Sequence, residues 1–339
     1  MEDKTLAVIV TYNSEKFIEK CLFSIANQNF KNFFLTVIDN NSSDNTVKTV
    51  QEYKNAESRI SFGNFRFIKL KKNIGFSGAV NYAVFNYRKN KNKKVKDDYK
   101  YLILINPDMV LDEDVFQLLT DTLKKEKIGA CGSLILDYEG KKIQHFGGRT
   151  DRNFITKHLK APGNFDLDKV VSKDKDYFFD YGEKISPDYI TGALFATHFP
   201  LFKNLGGFDK GYKPVYFEEL DYCIKLRKAG LDLTVNPFAF ARHFEAASIG
   251  KFSANFYRYY HKNRIRCAVI NSGIIEIFKI FFFYEAKWLR KATKDQYDAL
   301  ILAYLFNLFF CPCSFMLKIL NFLKINKLKK ALAKGSLKM

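Results

Sequence analysis

The first hundred residues alternate between short apolar runs and stretches of helical spacing, and this alternation constrains the fold more than any other feature. Leu6–Val10 is apolar and β-branched, and Glu15–Gln28 carries Ile18, Leu22 and Ile25 on one helical face. Phe34–Ile38 is apolar again. Ser43 or Asp44 can cap a helix over Thr46–Tyr53. Phe65–Leu70 reads as a strand, Gly78–Tyr87 as a helix, and Tyr101–Ile105 (YLILI) as a strongly apolar strand. Apolar runs without polar alternation need burial on both faces. The order therefore implies an α/β fold, a mostly parallel sheet covered by helices, with ligands at the carboxyl ends of its strands.

Beyond residue 105 the pattern loosens. Arg88–Lys100 is a charge run that reads as a solvated loop, and residues 151–187 read as a long polar loop. Tyr189–His198 suggests a helix or a strand–helix element, followed by a Gly206-Gly207-Phe208-Asp209 turn. Phe217–Ala229 is a helix stopped by Gly230, and Leu231–Val235 is a strand expected to break at Pro237. From about residue 251 the chain turns helical, aromatic and basic over Phe256–Asn271 and Ile274–Lys291. Ala299–Leu317 holds 19 residues without a charge, long enough to span a bilayer, but Asn307, Pro312 and Ser314 interrupt it. Seven lysines follow from Lys318 onward, the composition of a helix lying in a membrane interface. Such a tail is expected to separate from the catalytic sheet when the chain is cut near Asp298.

Net charge is +19, from 55 Lys+Arg against 36 Asp+Glu. A basic chain wants an anionic partner: nucleic acid, a nucleotide or an acidic membrane surface. No helix is evenly basic with a docking pattern, which argues against nucleic acid. The six cysteines form no Cys-x-x-Cys and have no histidine pair at zinc spacing, which argues against a structural zinc. The apolar run before Thr11 is too short for a signal peptide, so the thiols are expected to be reduced and the chain cytoplasmic.

Four clusters carry the chemistry. Thr11-Tyr12-Asn13 and Asp39 stand at two strand ends, where short polar groups can bond a base or ribose. Asn73-Ile-Gly75-Phe-Ser-Gly78-Ala-Val-Asn81 places glycines at a loop-to-helix turn, a pattern that admits an anion and serves equally for packing. Asn106-Pro107-Asp108 follows the most apolar strand, and a carboxylate there suits Mg2+ or Mn2+ opposite a diphosphate, or closes a plain turn. Glu218, Glu219 and Asp221 open the helix that ends at Gly230. They favour its dipole, and one of them can point into a cleft as a general base. His243 ends a strand beside that helix and suits a metal.

The order TYN, VIDNNSSDNT, NIGFSGAVN, LINPD, ITGALFATHFPLFKNLGGFD, YFEELDYCIKLRKAG and a late histidine resembles glycosyltransferase family 2, especially its bacterial rhamnosyltransferase and galactofuranosyltransferase branch. The resemblance covers roughly residues 5–265. It implies a GT-A fold with a Rossmann-like sheet, inverting chemistry, a nucleotide-diphosphate sugar donor, and Mg2+ or Mn2+. By that resemblance Thr11, Tyr12, Asn13 and Asp39 would bind the nucleoside, and Asn73, Gly75 and Asn81 would lie along the ribose and diphosphate. Asp108 is the last residue of the family's Asp-x-Asp motif. Asn106, on the donor side, replaces the first Asp, so the motif supplies one charged ligand and needs the help of His243. Glu219 matches the catalytic base, Glu218 is its acidic neighbour, Glu218 and Gly192 would position the acceptor, and Asp221 would position the acceptor or nearby arginines. The processive members' Gln-x-x-Arg-Trp motif is missing, and the single tryptophan, Trp288, follows Lys287.

These readings give a GT-A catalytic domain over residues 1–250, divided at 105/106 into a nucleotide-sugar half and a metal and acceptor half, and a C-terminal helical, membrane-associating region over 251–339. The expected activity is non-processive transfer of a sugar, with dTDP-L-rhamnose as first choice of donor, to a cell-surface glycan precursor. The acceptor is expected to be polyprenyl-diphosphate-linked, and the enzyme peripheral on the cytoplasmic face of an anionic membrane. Galactofuranosyl or other hexosyl transfer is the alternative within the family. A nucleotidyltransferase would want a Gly-rich basic loop after the first strand, where this chain has TYNSEKF.

Overall fold

The computed structural model describes residues 4–55, 65–86, 99–174, 176–177, 186–244, 253–290 and 294–337. β1 (Thr5–Thr11), β2 (Phe33–Asp39), β3 (Phe65–Lys69) and β4 (Tyr101–Ile105) lie parallel in the order β3-β2-β1-β4. The segments between them form α1 (Ile18–Ala26), α2 (Thr46–Asn55) and α3 (Phe76–Phe85). Successive strand residues face opposite sides. Leu6, Val8, Val10, Leu102 and Leu104 pack with Ala79 and Val80 of α3 on one side. Ala7, Ile9, Ile103 and Ile105 pack with Ile18, Leu22 and Ile25 of α1 on the other. This two-sided burial is why the strands read as unbroken apolar runs. Asp44 caps α2, accepting from the Thr46 main-chain N–H at 3.0 Å.

Past β4 come β5 (Met109–Leu111), α4 (Val115–Leu123), β6 (Ile128–Asp137) and β7 (Ile143–His145). The expected long loop holds a small hairpin, β8 (Gly148–Thr150) with β9 (Thr156–His158), and a short α5 (Leu167–Val171). Next are β10 (Leu194–His198), α6 (Phe199–Leu205), α7 (Glu218–Lys228) and β11 (Asp232–His243). The full order is β3-β2-β1-β4-β10-β6-β11-β5, with β7 beside β6. The sheet is mixed in this half, because β10 runs antiparallel to both β4 and β6. That reversal brings Thr191-Gly192-Ala193 to the carboxyl end of β4, where the Asn106 N–H donates to the Ala193 carbonyl at 2.9 Å. Pro237 does not end β11 as expected. The register jumps from Asn236↔Ser133 to Phe240↔Leu134, and this bulge accommodates a residue without an N–H. Of the charge run Arg88–Lys100, residues 88–98 lie outside the described residues.

The C-terminal region is α8 (Ala254–Asn271), α9 (Ile274–Lys279), a π-helical turn Ile280–Glu285, α10 (Ala286–Leu289), α11 (Lys294–Phe309) and α12 (Cys311–Ala333). The uncharged run Ala299–Leu317 is not one helix: it breaks at Phe310, and Gln296–Phe309 and Cys311–Ala333 meet at a 69° bend. Pro312 stands in the first turn of α12, where its missing N–H costs nothing. Among the described residues no single helix is long and apolar enough to cross a membrane, and only this bent pair meets the test by length and composition.

The tail is not a detachable appendage. Ile325 and Leu328 of α12 are buried in the same core as Leu6 and Phe202. Asn307 of α11 donates to the Lys262 carbonyl of α8 at 3.0 Å. Arg264 of α8 forms a fully buried ion pair with Glu285. The expectation that a cut at Asp298 would spare the catalytic sheet is therefore corrected, because such a cut opens the core.

Candidate active site

Thr11 and Asp39 pair in register at the ends of β1 and β2. The Thr11 hydroxyl donates to Asp39 Oδ1 at 3.2 Å, and the Ser42 N–H donates to Asp39 Oδ2 at 3.0 Å. Both residues are fully buried, so they shape this corner from within and expose no surface of their own. Asn13 takes the left-handed conformation, φ +50°, and its Oδ1 accepts from the Ser43 N–H at 2.9 Å. Tyr12, 45% exposed, is the ring this corner presents.

On the next loop, Asn73 Oδ1 accepts from Asn40 Nδ2 and from the Gly75 N–H, each at 2.9 Å. Gly75 has φ +78°, and a Cβ there would lie 3.1 Å from the Pro214 carbonyl oxygen, so any other residue would be strained. The Phe76 N–H at the start of α3 donates to that carbonyl at 2.9 Å. The glycine turn thus docks on the loop leading into α7. Asn81 departs from its expected donor role. Its amide is 5% exposed and spends both ends on the Phe208 main chain, donating at 2.7 Å and accepting at 3.0 Å. It pins the Gly207–Phe208 turn.

The β5–β11 pairing sets Met109 opposite His243 and so brings Asp108 to the histidine ring. His243 Nε2 lies 3.3 Å from Asp108 Oδ1, an oxygen that is buried and has no hydrogen-bond partner. Neighbouring ligands of an octahedral ion, each about 2.1 Å from its centre, stand roughly 3.0 Å apart. The pair therefore fits a divalent cation. Among the described residues no group of three or more His, Cys, Asp or Glu side chains converges, so two protein ligands would leave most positions to diphosphate and water. Cys21, whose Sγ is 3.5 Å from the Asn106 carbonyl, has its thiol pushed up by burial and then by Asp108, and stays neutral. The other face of His243 meets Gln144 of β7, with Nδ1 3.1 Å from Oε1.

Glu219 is half-buried at the start of α7. A Cβ on Gly192 would lie 1.8 Å from Glu219 Oε1, so the carboxyl rests on the bare face of that glycine. Burial pushes Glu219 up to about 7. Glu218 is 1% exposed, and burial, then Glu219, pushes it well above the usual carboxylate range. It is the inner member of the acidic pair and has no surface for an acceptor, contrary to expectation. Asp221 is also corrected. It is fully buried, paired with Lys225 Nζ at 2.6 Å and bonded by Asn271 Nδ2 at 2.7 Å. It ties α7 to α8.

Two features here left no trace in the sequence. Tyr216 and Phe217, immediately before Glu218, both take positive φ, +84° and +77°. Such residues cost about 1–3 kcal/mol each and persist where the surroundings over-determine them. Asn263 of α8 supplies that hold, its Nδ2 donating to the carbonyls of Tyr212, Val215 and Tyr216 at 3.0, 2.8 and 3.1 Å. An asparagine within a helix, or a glutamine in a three-residue strand, has no spacing that announces it.

The sites at the ends of β1, β2, β4 and β11 and at the start of α7 thus share the carboxyl edge of one sheet. The family model for glycosyl transferase family 2 matches residues 6–175. Among curated proteins, the chain is 24% identical over 262 residues to Rhamnosyltransferase WbbL of Escherichia coli (strain K12), covering 76% of this chain and 90% of that one. It is 25% identical over 273 residues to the N-acetylglucosaminyl-diphospho-decaprenol L-rhamnosyltransferase of Mycobacterium tuberculosis, covering 78% and 83%. Among solved structures, it is similar to the mannosyltransferase PcManGT from Pyrobaculum calidifontis in complex with GDP-Man and Mn2+. The TM-score is 0.53 at 14% identity, over 99% of this chain and 80% of that one, a likeness of fold. The chain belongs to glycosyl transferase family 2, and it is a glycosyltransferase built on the GT-A fold.

Proposed function

We propose that this chain is an inverting, cation-dependent, non-processive rhamnosyltransferase. It moves L-rhamnose from a thymidine-diphosphate donor to a hydroxyl of a polyprenyl-diphosphate-linked glycan at the cytoplasmic face of an anionic membrane. The seating of Glu219 carries this reading: a raised carboxyl on the face of Gly192, one residue from the bond that joins Ala193 to Asn106. The two relatives named as rhamnosyltransferases support the sugar, and the second one's name supports the lipid-linked acceptor.

In this reading Glu219 takes the proton of the acceptor hydroxyl while that oxygen attacks the anomeric carbon. The bond to the nucleoside diphosphate breaks on the opposite face, so a single displacement inverts the configuration. Tyr12 offers its exposed ring to the base, and Asn73 and Gly75 flank the path to the diphosphate. Asp108 and His243 would hold a divalent cation, which when bound neutralises charge on the leaving diphosphate.

The membrane reading rests on the exposed apolar side chains of the C-terminal helices. Ile274, Ile275, Phe282, Phe283, Leu308 and Phe309 are each more than 60% exposed, and the lysines from Lys318 to Lys334 follow in the chain. Large apolar side chains left facing water are groups that a membrane interface buries. Burial in the interface and attraction to anionic headgroups would add.

Asp108→Ala is expected to abolish metal-stimulated donor binding and to lower turnover about 100-fold or more. Chelator should stop the wild type, and Mg2+ or Mn2+ should restore it. Full turnover in excess chelator would remove the cation from the reaction and reduce Asp108 to a turn residue.

A further inference from the structure

Gln144 touches His243 twice. Its Nε2 donates to the His243 main-chain carbonyl at 3.2 Å, and its Oε1 lies 3.1 Å from the ring Nδ1. A carbonyl oxygen can only accept, so this first bond fixes which way the amide points. The Oε1 facing the ring must then accept, and Nδ1 must carry the proton. A neutral imidazole with its proton on Nδ1 presents a lone pair at Nε2. Nε2 faces Asp108 Oδ1 across 3.3 Å, and Gln144 thus holds the ring with this nitrogen turned to the position a cation would take.

We propose that Gln144 is a positioning residue that fixes His243 as a nitrogen ligand and thereby gives the site a preference for Mn2+ over Mg2+. The inference rests on the reading of Asp108 and His243 as the cation's ligands. Its chemistry is that of hard and borderline ions. Mg2+ takes oxygen ligands almost throughout and keeps its waters. A first-row transition ion gains more from an imidazole nitrogen, and Mn2+ gains least of that series but still more than Mg2+. Partners that orient a metal-binding histidine typically change metal affinity 10- to 100-fold when removed. Gln144 lies half-exposed on the short β7, so its replacement opens no core.

The test is direct binding by the full chain of Mn2+ and, separately, Mg2+ in the presence of thymidine diphosphate. Free Mn2+ is read by its electron paramagnetic resonance, and Mg2+ by competition. Wild type should prefer Mn2+. Gln144→Leu should lose roughly 10- to 100-fold in Mn2+ affinity and little in Mg2+ affinity, collapsing the preference, with the melting temperature unchanged. Gln144→Glu, which keeps an acceptor for Nδ1–H, should stay within a few-fold of wild type for Mn2+. Adding Gln144→Leu to His243→Ala should cause no further loss. Unchanged Mn2+ affinity in Gln144→Leu, where His243→Ala is weakened, overturns the role of Gln144. Equal losses for both ions overturn the selectivity. Unchanged binding in both Asp108→Ala and His243→Ala instead overturns the cation site itself.

Discussion

Glu219→Gln is expected to bind donor as the wild type does and to transfer sugar slower by a factor of roughly 100 or more. The amide keeps the shape of the carboxyl but cannot take a proton. Its partner Glu218 lies too deep to replace it, so Glu218→Gln should retain far more activity than Glu219→Gln. Burial that raises the carboxyl to about 7 keeps the base protonated, and idle, below that pH. Turnover of the wild type should therefore fall as pH drops through 7, and the residual turnover of Glu219→Gln should lack that limb. Gly192→Ala reaches the same group from the other side. Its methyl would take the place of Glu219 Oε1, and a misplacement of about 1 Å can cost roughly 100-fold. Near-wild-type turnover in Glu219→Gln with Glu218→Gln inactive would move the base by one residue.

Truncation before Asp298 is expected to yield insoluble or non-cooperatively unfolding protein rather than a soluble transferase. Leu300, Ile325 and Leu328 are each at least 93% buried, and each contributes about 1.5–3 kcal/mol by that burial. Their joint loss is comparable to the whole stability of an ordinary domain, about 5–15 kcal/mol. The Tyr304 contact to Glu285 and the Asn307 contact to α8 go with them. A soluble, cooperative fragment would show α11 and α12 to be a separable unit after all. Membrane attachment is better examined at the exposed face. Ile275→Glu with Phe309→Glu alters residues 74% and 79% exposed and should leave the melting temperature within a few degrees. Binding to anionic vesicles should fall about 100-fold, the equivalent of roughly 3 kcal/mol of lost apolar burial. Unchanged vesicle binding would mean that this face meets something other than lipid.

What could be read from the chain follows from the range of each interaction. The parallel half was legible because two-sided burial forces continuous apolar runs, and β4 matches the expected Tyr101–Ile105 residue for residue. The placement of Asp108, Glu219 and His243 at the carboxyl edge of the sheet was legible because strand ends and a helix start fix their places along the chain. Asn81 and Asp221 misled because sequence shows a polar residue beside a site without showing its partner, here Phe208 and Lys225, both supplied by tertiary packing. Pro237 misled because a bulge, which sequence does not mark, absorbs it within β11. Gln144 and the Asn263 hold were invisible for the same reason: each acts on a residue about 50 or more positions away.

The most direct measurement is transfer itself. The purified full chain would be given a panel of nucleotide-diphosphate sugars, a polyprenyl-diphosphate-linked glycan in anionic vesicles, and Mn2+, and the new glycosidic bond read by nuclear magnetic resonance. The account predicts transfer of a single sugar, with rhamnose from the thymidine-diphosphate donor the fastest. It also predicts an anomeric configuration opposite to the donor's and loss of product in Glu219→Gln. A product that retains the donor's configuration would contradict it, because one displacement with Glu219 as base can only invert.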